Sequence, residues 1–459
     1  MTEPAPSASP NPAGAVPRLR RVLTLWDLIF YGIVLIMPIA PVPMFGVAQV
    51  LSQGHFVTTI LIAMIAMMLT AVSYGRMATL YPAAGSAYTY VGRGLNPHLG
   101  FLAGWAMFLD YLIQPLLNGI YGALTIKRFF PFVPYAVLAA VFVGSMTLLN
   151  LRGIRTTAYA NIVLLTIMCA VIGVFMVLAV RYLFHLQGWA GVFSVQPFYD
   201  PKTFNPRVIW TATSYAALTY IGFDGVTTLA EDVKNPKRNV MLATVLVCLF
   251  TGIVGGLEVY LGQRVWPDFR FFPNVETAFM DVAHRVGGPL LFQALGIVLI
   301  LASVGSGLTG QVGAARLLFG MGRDNVLPRK LFAYLDPRRN TPTRNIWLIG
   351  IVAYIGTLFV SYEQAGEILN FGAFLAFMGV NFATFWQFGI VQQPGRKRRW
   401  LVDVVVPLLG FVFCLWIWLG LGLPSKLVGG VWFIAGLIYC AIKTRGFRDR
   451  PIMVDFSES

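Results

Sequence analysis

The chain reads as an all-α integral membrane protein: twelve transmembrane helices, an inverted five-plus-five helix repeat, and two extra helices at the end. Three observations lead there. The 459 residues are 57% hydrophobic and only 12% charged, whereas soluble domains are roughly half apolar and a quarter charged. Apolar stretches recur at the length of about 20 residues that crosses hydrocarbon once. Two of these stretches, five spans apart, are broken near mid-span.

In order, the expected spans are 28–50, 56–79, 99–124, 132–150, 157–180, 208–230, 240–263, 289–315, 346–361, 367–391, 402–421 and 427–443. They group into a tail at 1–22, a first repeat at 23–181, a second, inverted repeat at 207–391, helices 11 and 12 at 401–443, and a tail at 444–459. The Pro/Ala/Ser-rich start is expected to be disordered. It has no charged region followed by a short apolar core, so no signal peptide is expected. The stretch 81–104 is too polar and Gly-rich to span, and reads as a short amphipathic segment at the inner mouth.

A net charge of +15 invites a nucleic-acid reading, but its distribution argues against one. With the N-terminus inside, 25 Lys/Arg fall on the inner side and 9 on the outer. That is the positive-inside bias, and it fixes orientation, with both termini expected in the cytoplasm; the plasma membrane is the expected location. Cys169, Cys248, Cys414 and Cys440 are isolated within apolar spans and lack metal-ligand spacing. His55, His98, His185 and His284 are scattered. No cofactor, metal, nucleophile triad or phosphate loop is expected, so neither an enzyme nor an ATP-driven pump is indicated.

The breaks carry the chemistry. Span six runs Y-I-G-F-D-G at 220–225, two glycines around a carboxylate. Span one carries P-I-A-P-V-P at 38–43, where three prolines remove three donors from a helix. Lipid satisfies no released backbone group, so each break must line an enclosed cavity. Matched breaks in two halves are the signature of a carrier with its site at the midplane.

Several stretches together resemble the amino acid–polyamine–organocation superfamily. They are L-T-L-W-D at 23–27, Y-P-A-A-G-S-A-Y-T-Y at 81–90, N-P-H-L-G-F-L-A-G-W at 96–105, Y-I-G-F-D-G-V-T-T-L-A-E-D-V-K-N-P-K-R at 220–238, A-A-R-L-L-F-G-M-G-R-D-N-V-L-P at 314–328 and I-L-N-F-G-A-F-L-A-F at 368–377. Within it, L-D-Y-L at 109–112 and G-F-D-G-V-T-T-L look most like the putrescine-importer branch. The resemblance implies a leucine-transporter type of fold. In amino acid carriers of that superfamily, glycine amides in span one cradle the substrate carboxylate. Here prolines stand instead, leaving Ile39, Ala40 and Val42 as the only amide donors across the break.

The candidate substrate residues are therefore Ile39, Ala40, Val42, Tyr111, Tyr220, Gly222, Phe223, Asp224 and Gly225. Asp224 either pairs with a substrate ammonium or caps the second half-helix. Tyr220 and Phe223 would supply apolar walls or a cation–π face, and Tyr111 and Phe223 occluding rings. Asp110, near mid-depth in span three, either carries the coupled proton or is a hydrogen-bonded structural acid. Ser303 and Ser306 lie in A-S-V-G-S-G-L-T-G. The resemblance makes their hydroxyls candidate sodium ligands, while small residues there equally permit close helix packing. Glu258 reads as solvated near the outer end, and Glu231 and Asp232 as a network with Lys234, Lys237 or Arg238 at the inner mouth. The expected activity is secondary transport of a small organic amine such as putrescine, coupled to protons, with sodium as the alternative ion. An amino acid permease is the nearest alternative, and a channel or nutrient sensor on the same fold the more distant one.

Overall fold

A computed structural model describes residues 23–81, 86–152, 158–230, 233–323, 327–337, 341–391 and 398–449. The first helix, α1 (Leu25–Ile36), starts at a capping box: Asp27 Oδ2 accepts from the Thr24 amide at 2.8 Å and Thr24 Oγ1 accepts from the Asp27 amide. Such caps contribute about 1 kcal/mol. The helix stops where Pro38 would have to donate; Met37 turns to φ 68 and a run of tight turns leads into α2 (Phe45–Leu51).

Next come α3 (Phe56–Leu80), α4 (Ser86–Gly94) and α5 (Pro97–Phe129). The last starts at Asn96, whose side chain accepts from the His98 amide at 2.8 Å, with Pro97 in the first turn. After these follow α6 (Tyr135–Leu151), α7 (Ala158–Gln187), the short α8 (Trp189–Val192) and α9 (Pro206–Ala216). Beyond α9 the chain tightens into 3-10 helix at Ala217–Tyr220 and Phe223–Leu229. Then α10 (Pro236–Val265), α11 (Ala278–Arg323), α12 (Arg329–Phe332), α13 (Thr343–Phe359), α14 (Tyr362–Thr384), α15 (Val406–Gly420) and α16 (Leu423–Lys443) complete the bundle. The helix α11 bends at Gly288 (φ 63), just before Pro289, where the sequence places the start of its eighth span.

Among the described residues there is no strand, only an isolated bridge between Leu23 and Val233. Eight helices are long and apolar enough to cross a membrane, and Leu25–Ile36, Tyr135–Leu151 and Thr343–Phe359 are shorter apolar helices. Close packing sets the core: α3 lies along α10, and α5 runs between α11 and α14. A Cβ on Gly75 would overlap Met241, and one on Gly100 would overlap Gly92. A buried ion pair between Arg76 and Asp403 ties α3 to the segment leading into α15.

Away from the bridged end, His55 is buried, with Thr203 Oγ1 3.1 Å from its Nε2 and the Phe204 ring 5.3 Å away. Burial holds its pKa below the ordinary value, against the opposing pull of Asp200. The folded state thus binds fewer protons than the unfolded chain, so stability rises with pH through that window and is lost on acidification. Thermal unfolding in detergent is expected to fall by about 1–3 °C as pH drops below the ordinary histidine range, and His55→Gln is expected to flatten the dependence.

Candidate substrate site at two broken helices

In the first break, the amides of Ala40, Val42 and Met44 donate to the carbonyls of Met37, Ile39 and Pro41 at 3.0–3.2 Å. Each bond spans three residues, which is how a proline-rich segment recovers some of its pairing. Two of the three amides that the sequence offers to a ligand are therefore already used. Ala40 and Val42 are not free donors, and only the Ile39 amide lacks an acceptor among the described residues. Conversely, the carbonyls of Val34, Leu35 and Ile36 lose their ladder partners at the end of α1.

The second break starts earlier than the glycines. Regular α-helix ends at Ala216. Thr213 and Ser214 hydroxyls bond back to the carbonyls of Ile209 and Thr211, and Asn370 Nδ2 donates to the Ser214 carbonyl at 2.7 Å. Side chains that capture ladder carbonyls bend and weaken a helix. Ile221 is extended, and Gly222 adopts φ 110, a left-handed conformation that side chains disfavour. Gly225 is required for a different reason: a Cβ there would sit 2.6 Å from Leu35 Cδ1. Removing that bulk lets the last turn of α1 lie against the second break, with the Leu35 carbonyl facing Gly222. Two helix C-termini, of α1 and of the α9 segment, thus end at one place with carbonyls free of the ladder. Each carries the negative end of a helix dipole.

Beside them stands Asp224, which is buried. Ser86 Oγ from α4 donates to its Oδ2 at 3.4 Å, and the amides of Asp224 and Gly225 lie against the carboxylate. The hydroxyls of Tyr31, Tyr74, Tyr90 and Tyr111 and the carboxyl of Asp110 are all within electrostatic reach of it. Asp110 is buried and has no hydrogen-bond partner among the described residues, so no contact to Tyr111 or Gln114 ties it down. Tyr111 retains 37% exposure although its ring lies against Gly313 of α11, and Tyr31 retains the same, beside Thr228. These two rings keep the exposure that the other tyrosines around Asp224, Tyr74 and Tyr90, lack.

Other expected positions lie elsewhere. Tyr220 donates to the Ile60 carbonyl at 3.0 Å and is fully buried against α3. Phe223 is fully buried between Tyr74 and Phe377, at 5.5 and 5.1 Å between ring centres. Both are held by packing contacts. Ser306 accepts from Gln114 Nε2 at 3.3 Å and Asn118 Nδ2 at 3.1 Å, which joins α11 to α5; Ser303 is buried on the same helix. No His/Cys/Asp/Glu group able to hold a metal ion is found among the described residues. Glu231 and Asp232 lie outside the described residues.

The family model described as amino acid permease matches residues 27–438. The chain belongs to the amino acid permease family. Its relatives include the low-affinity putrescine importer PlaP of Escherichia coli, 31% identical over 94% of this chain and 95% of that one. The branched-chain amino acid permease BcaP of Lactococcus lactis is 26% identical over 93% and 95% of the two chains, and the methylthioribose transporter of Bacillus subtilis 28% over 92% and 93%. This permease is thus a multi-pass membrane transporter and not an enzyme, as the sequence motifs imply.

Three features of the permease were not read from its sequence. Ser86 donates to Asp224 and Tyr31 stands within electrostatic reach of it, and nothing in their spacing shows which way they point. Glu258 is fully buried, and both carboxyl oxygens lack a hydrogen-bond partner among the described residues, which corrects its reading as solvated. Hydropathy gives depth along α10 but not the face on which a residue falls. Gly255 and Gly262, which back onto Pro41 and Phe45, put Glu258 on the packed side.

Proposed function

We propose that this permease imports a small organic amine, a diamine such as putrescine, by alternating access around Pro38–Pro43 and Gly222–Gly225. The single observation that carries this is the imbalance of the site: released carbonyls and a buried carboxylate converge, while the Ala40 and Val42 amides are consumed. An ammonium placed there meets Asp224, the Leu35 carbonyl and the face of Tyr31 or Tyr111. A substrate carboxylate meets little beyond the Ile39 amide. Burying a carboxylate without partners costs several kcal/mol, which lowers affinity by orders of magnitude.

The proposed architecture has twelve spans, with an inverted five-plus-five repeat and two further helices, in the plasma membrane with both termini cytoplasmic. The Leu23–Val233 bridge and the 2.8 Å bond from the Lys234 amide to the Leu23 carbonyl join α1 to the end of the second broken segment. Gly32 packs on Val226 in between. The two half-helices are thus coupled and swing together to open the inner side. Protons drive import, and the pair Asp110–Asp224 supplies the acids.

Competition against labelled putrescine in proteoliposomes tests the reading. Putrescine and other amines are expected to compete at least about tenfold better than ornithine or a neutral amino acid, a difference of about 1.4 kcal/mol. An amino acid competing better than putrescine by that margin would establish the amino acid reading instead.

A further inference from the structure

The bare carboxyl of Glu258 in α10 has a defined setting. A fully buried acid with no hydrogen bond to either oxygen among the described residues calls for an explanation. One turn before it, a Cβ on Gly255 would be 2.7 Å from Pro41 of the first break. One turn after it, a Cβ on Gly262 would be 2.9 Å from the Phe45 ring and 3.0 Å from the Phe279 ring. Those rings meet edge to face at 5.1 Å between centres, and Phe175 of α7 lies 4.7 Å from Phe279. All three are buried. So α2, α7, α10 and α11 meet in an apolar plug one turn beyond the acid, toward the end of α10 away from the Leu23–Val233 bridge. The charged and titratable groups of these helices do not neutralise a carboxylate there. Cys169 of α7 lies within electrostatic reach and brings no positive charge. Arg285 of α11 donates to the Val265 carbonyl at 3.1 Å and lies over the Trp266 ring, and Arg264 of α10 donates to the Gly191 carbonyl at 2.8 Å.

An ionised carboxylate with neither donor nor cation is strongly disfavoured in such a place, and a bound proton removes the penalty. We propose that Glu258 is a gating acid: the plug of Phe45, Phe175 and Phe279 seals only over the protonated carboxyl. Before sealing, one carboxylate oxygen takes a proton from the solution on that side; on unsealing, the neutral acid gives it up again. Because Gly255 backs onto Pro41 and Gly262 onto Phe45, the same face of α10 carries the acid and holds both sides of the turn that leads from the first break into α2. The protonation state of Glu258 thus sets whether that turn can lie down on α10. The sealed form holds one proton more than the unsealed form, so acid favours sealing and rising pH favours opening. This gate is independent of which substrate the permease carries, and it stands or falls apart from the amine reading.

The test uses the full chain, purified in detergent, with N-ethylmaleimide as probe. Ala278→Cys places a thiol at the seam of the plug: Ala278 is 1% exposed, and a Cβ on Gly46 of α2 would be 2.6 Å from its Cβ. Labelling is read above the native cysteines of the parent protein. Its rate is divided, at each pH, by that of the same variant carrying Glu258→Gln, which cancels the thiol's own titration. The ratio is expected to rise by up to about tenfold per pH unit once Glu258 titrates, the limit for a one-proton step. Glu258→Asp, which keeps the acid, is expected to keep the rise. Infrared difference spectra are expected to show a protonated carboxyl band at neutral pH that Glu258→Gln removes. If Ala278→Cys protein does not fold, Ala48→Cys, 1% exposed on α2, reports the same opening. A ratio that stays constant from acid to alkaline pH, a rise lost in the Asp variant, or a carboxyl band unchanged by Glu258→Gln would overturn the proposal.

Discussion

Asp224→Asn is expected to abolish uptake of a cationic amine while leaving the protein folded in detergent. The carboxylate is buried between two helix C-termini, where a substrate ammonium would be desolvated with it. Truncating one partner of such a buried charge pair costs roughly 2–5 kcal/mol, or about 30- to 4,000-fold in affinity. The rival role, a cap on the Phe223–Leu229 segment, makes a different prediction. The segment's cap residue is Gly222, with no side-chain cap bond, and the Ser86 hydroxyl can donate to an amide oxygen as well as to a carboxylate. A cap lost at this position would lower the unfolding temperature and leave binding in place. Calorimetry with putrescine on the purified variant separates the two: unchanged affinity would demote Asp224 to a structural residue.

Much of this site is legible in the sequence because Gly and Pro act through the backbone. P-I-A-P-V-P at 38–43 cannot donate in a helix, and the glycines at 222 and 225 mark where a Cβ would be strained or would strike Leu35. Depth is legible too, since Asp110 lies mid-helix in α5 as its spacing predicts. What the sequence does not carry is direction around an axis and the fate of a released group. Ala40 and Val42 look like free donors until Met37 takes a positive φ and the following turns close on themselves. Tyr220 and Phe223 flank the break in sequence but rotate into α3 and the Tyr74–Phe377 cluster, because 3-10 winding advances side chains by 120° per residue instead of 100°. Early loss of α-helix at Ala216 depends on Asn370, more than 150 residues away, and no local pattern reports it.

The proposed coupling acid, Asp110, can be separated by experiment from the proposed substrate acid, Asp224. Asp110 is buried, and neither a cation nor a hydrogen-bond donor offsets its charge among the described residues. An uncompensated buried carboxylate takes up a proton sooner than it keeps its charge. Asp224 stands within electrostatic reach, so the two carboxyls repel each other when both are ionised. An ammonium arriving at Asp224 would cancel this repulsion, and in the proposed mechanism substrate and proton sense each other through this pair of carboxyls. On that account Asp110→Asn removes the titrating group but leaves the substrate's partner in place. Counterflow exchange of labelled putrescine is expected to continue within about threefold of wild type, because a neutral isostere adds little to the barrier. Uphill accumulation driven by an inward proton gradient is expected to disappear, and the pH dependence of uptake to flatten. The unfolding temperature is expected to hold, since no native hydrogen bond to Asp110 is broken. If exchange and gradient-driven uptake fell together with a large loss of thermal stability, Asp110 would be a structural acid and the proton would have to travel by another group, for which the buried and unpartnered Glu258 is the next to test.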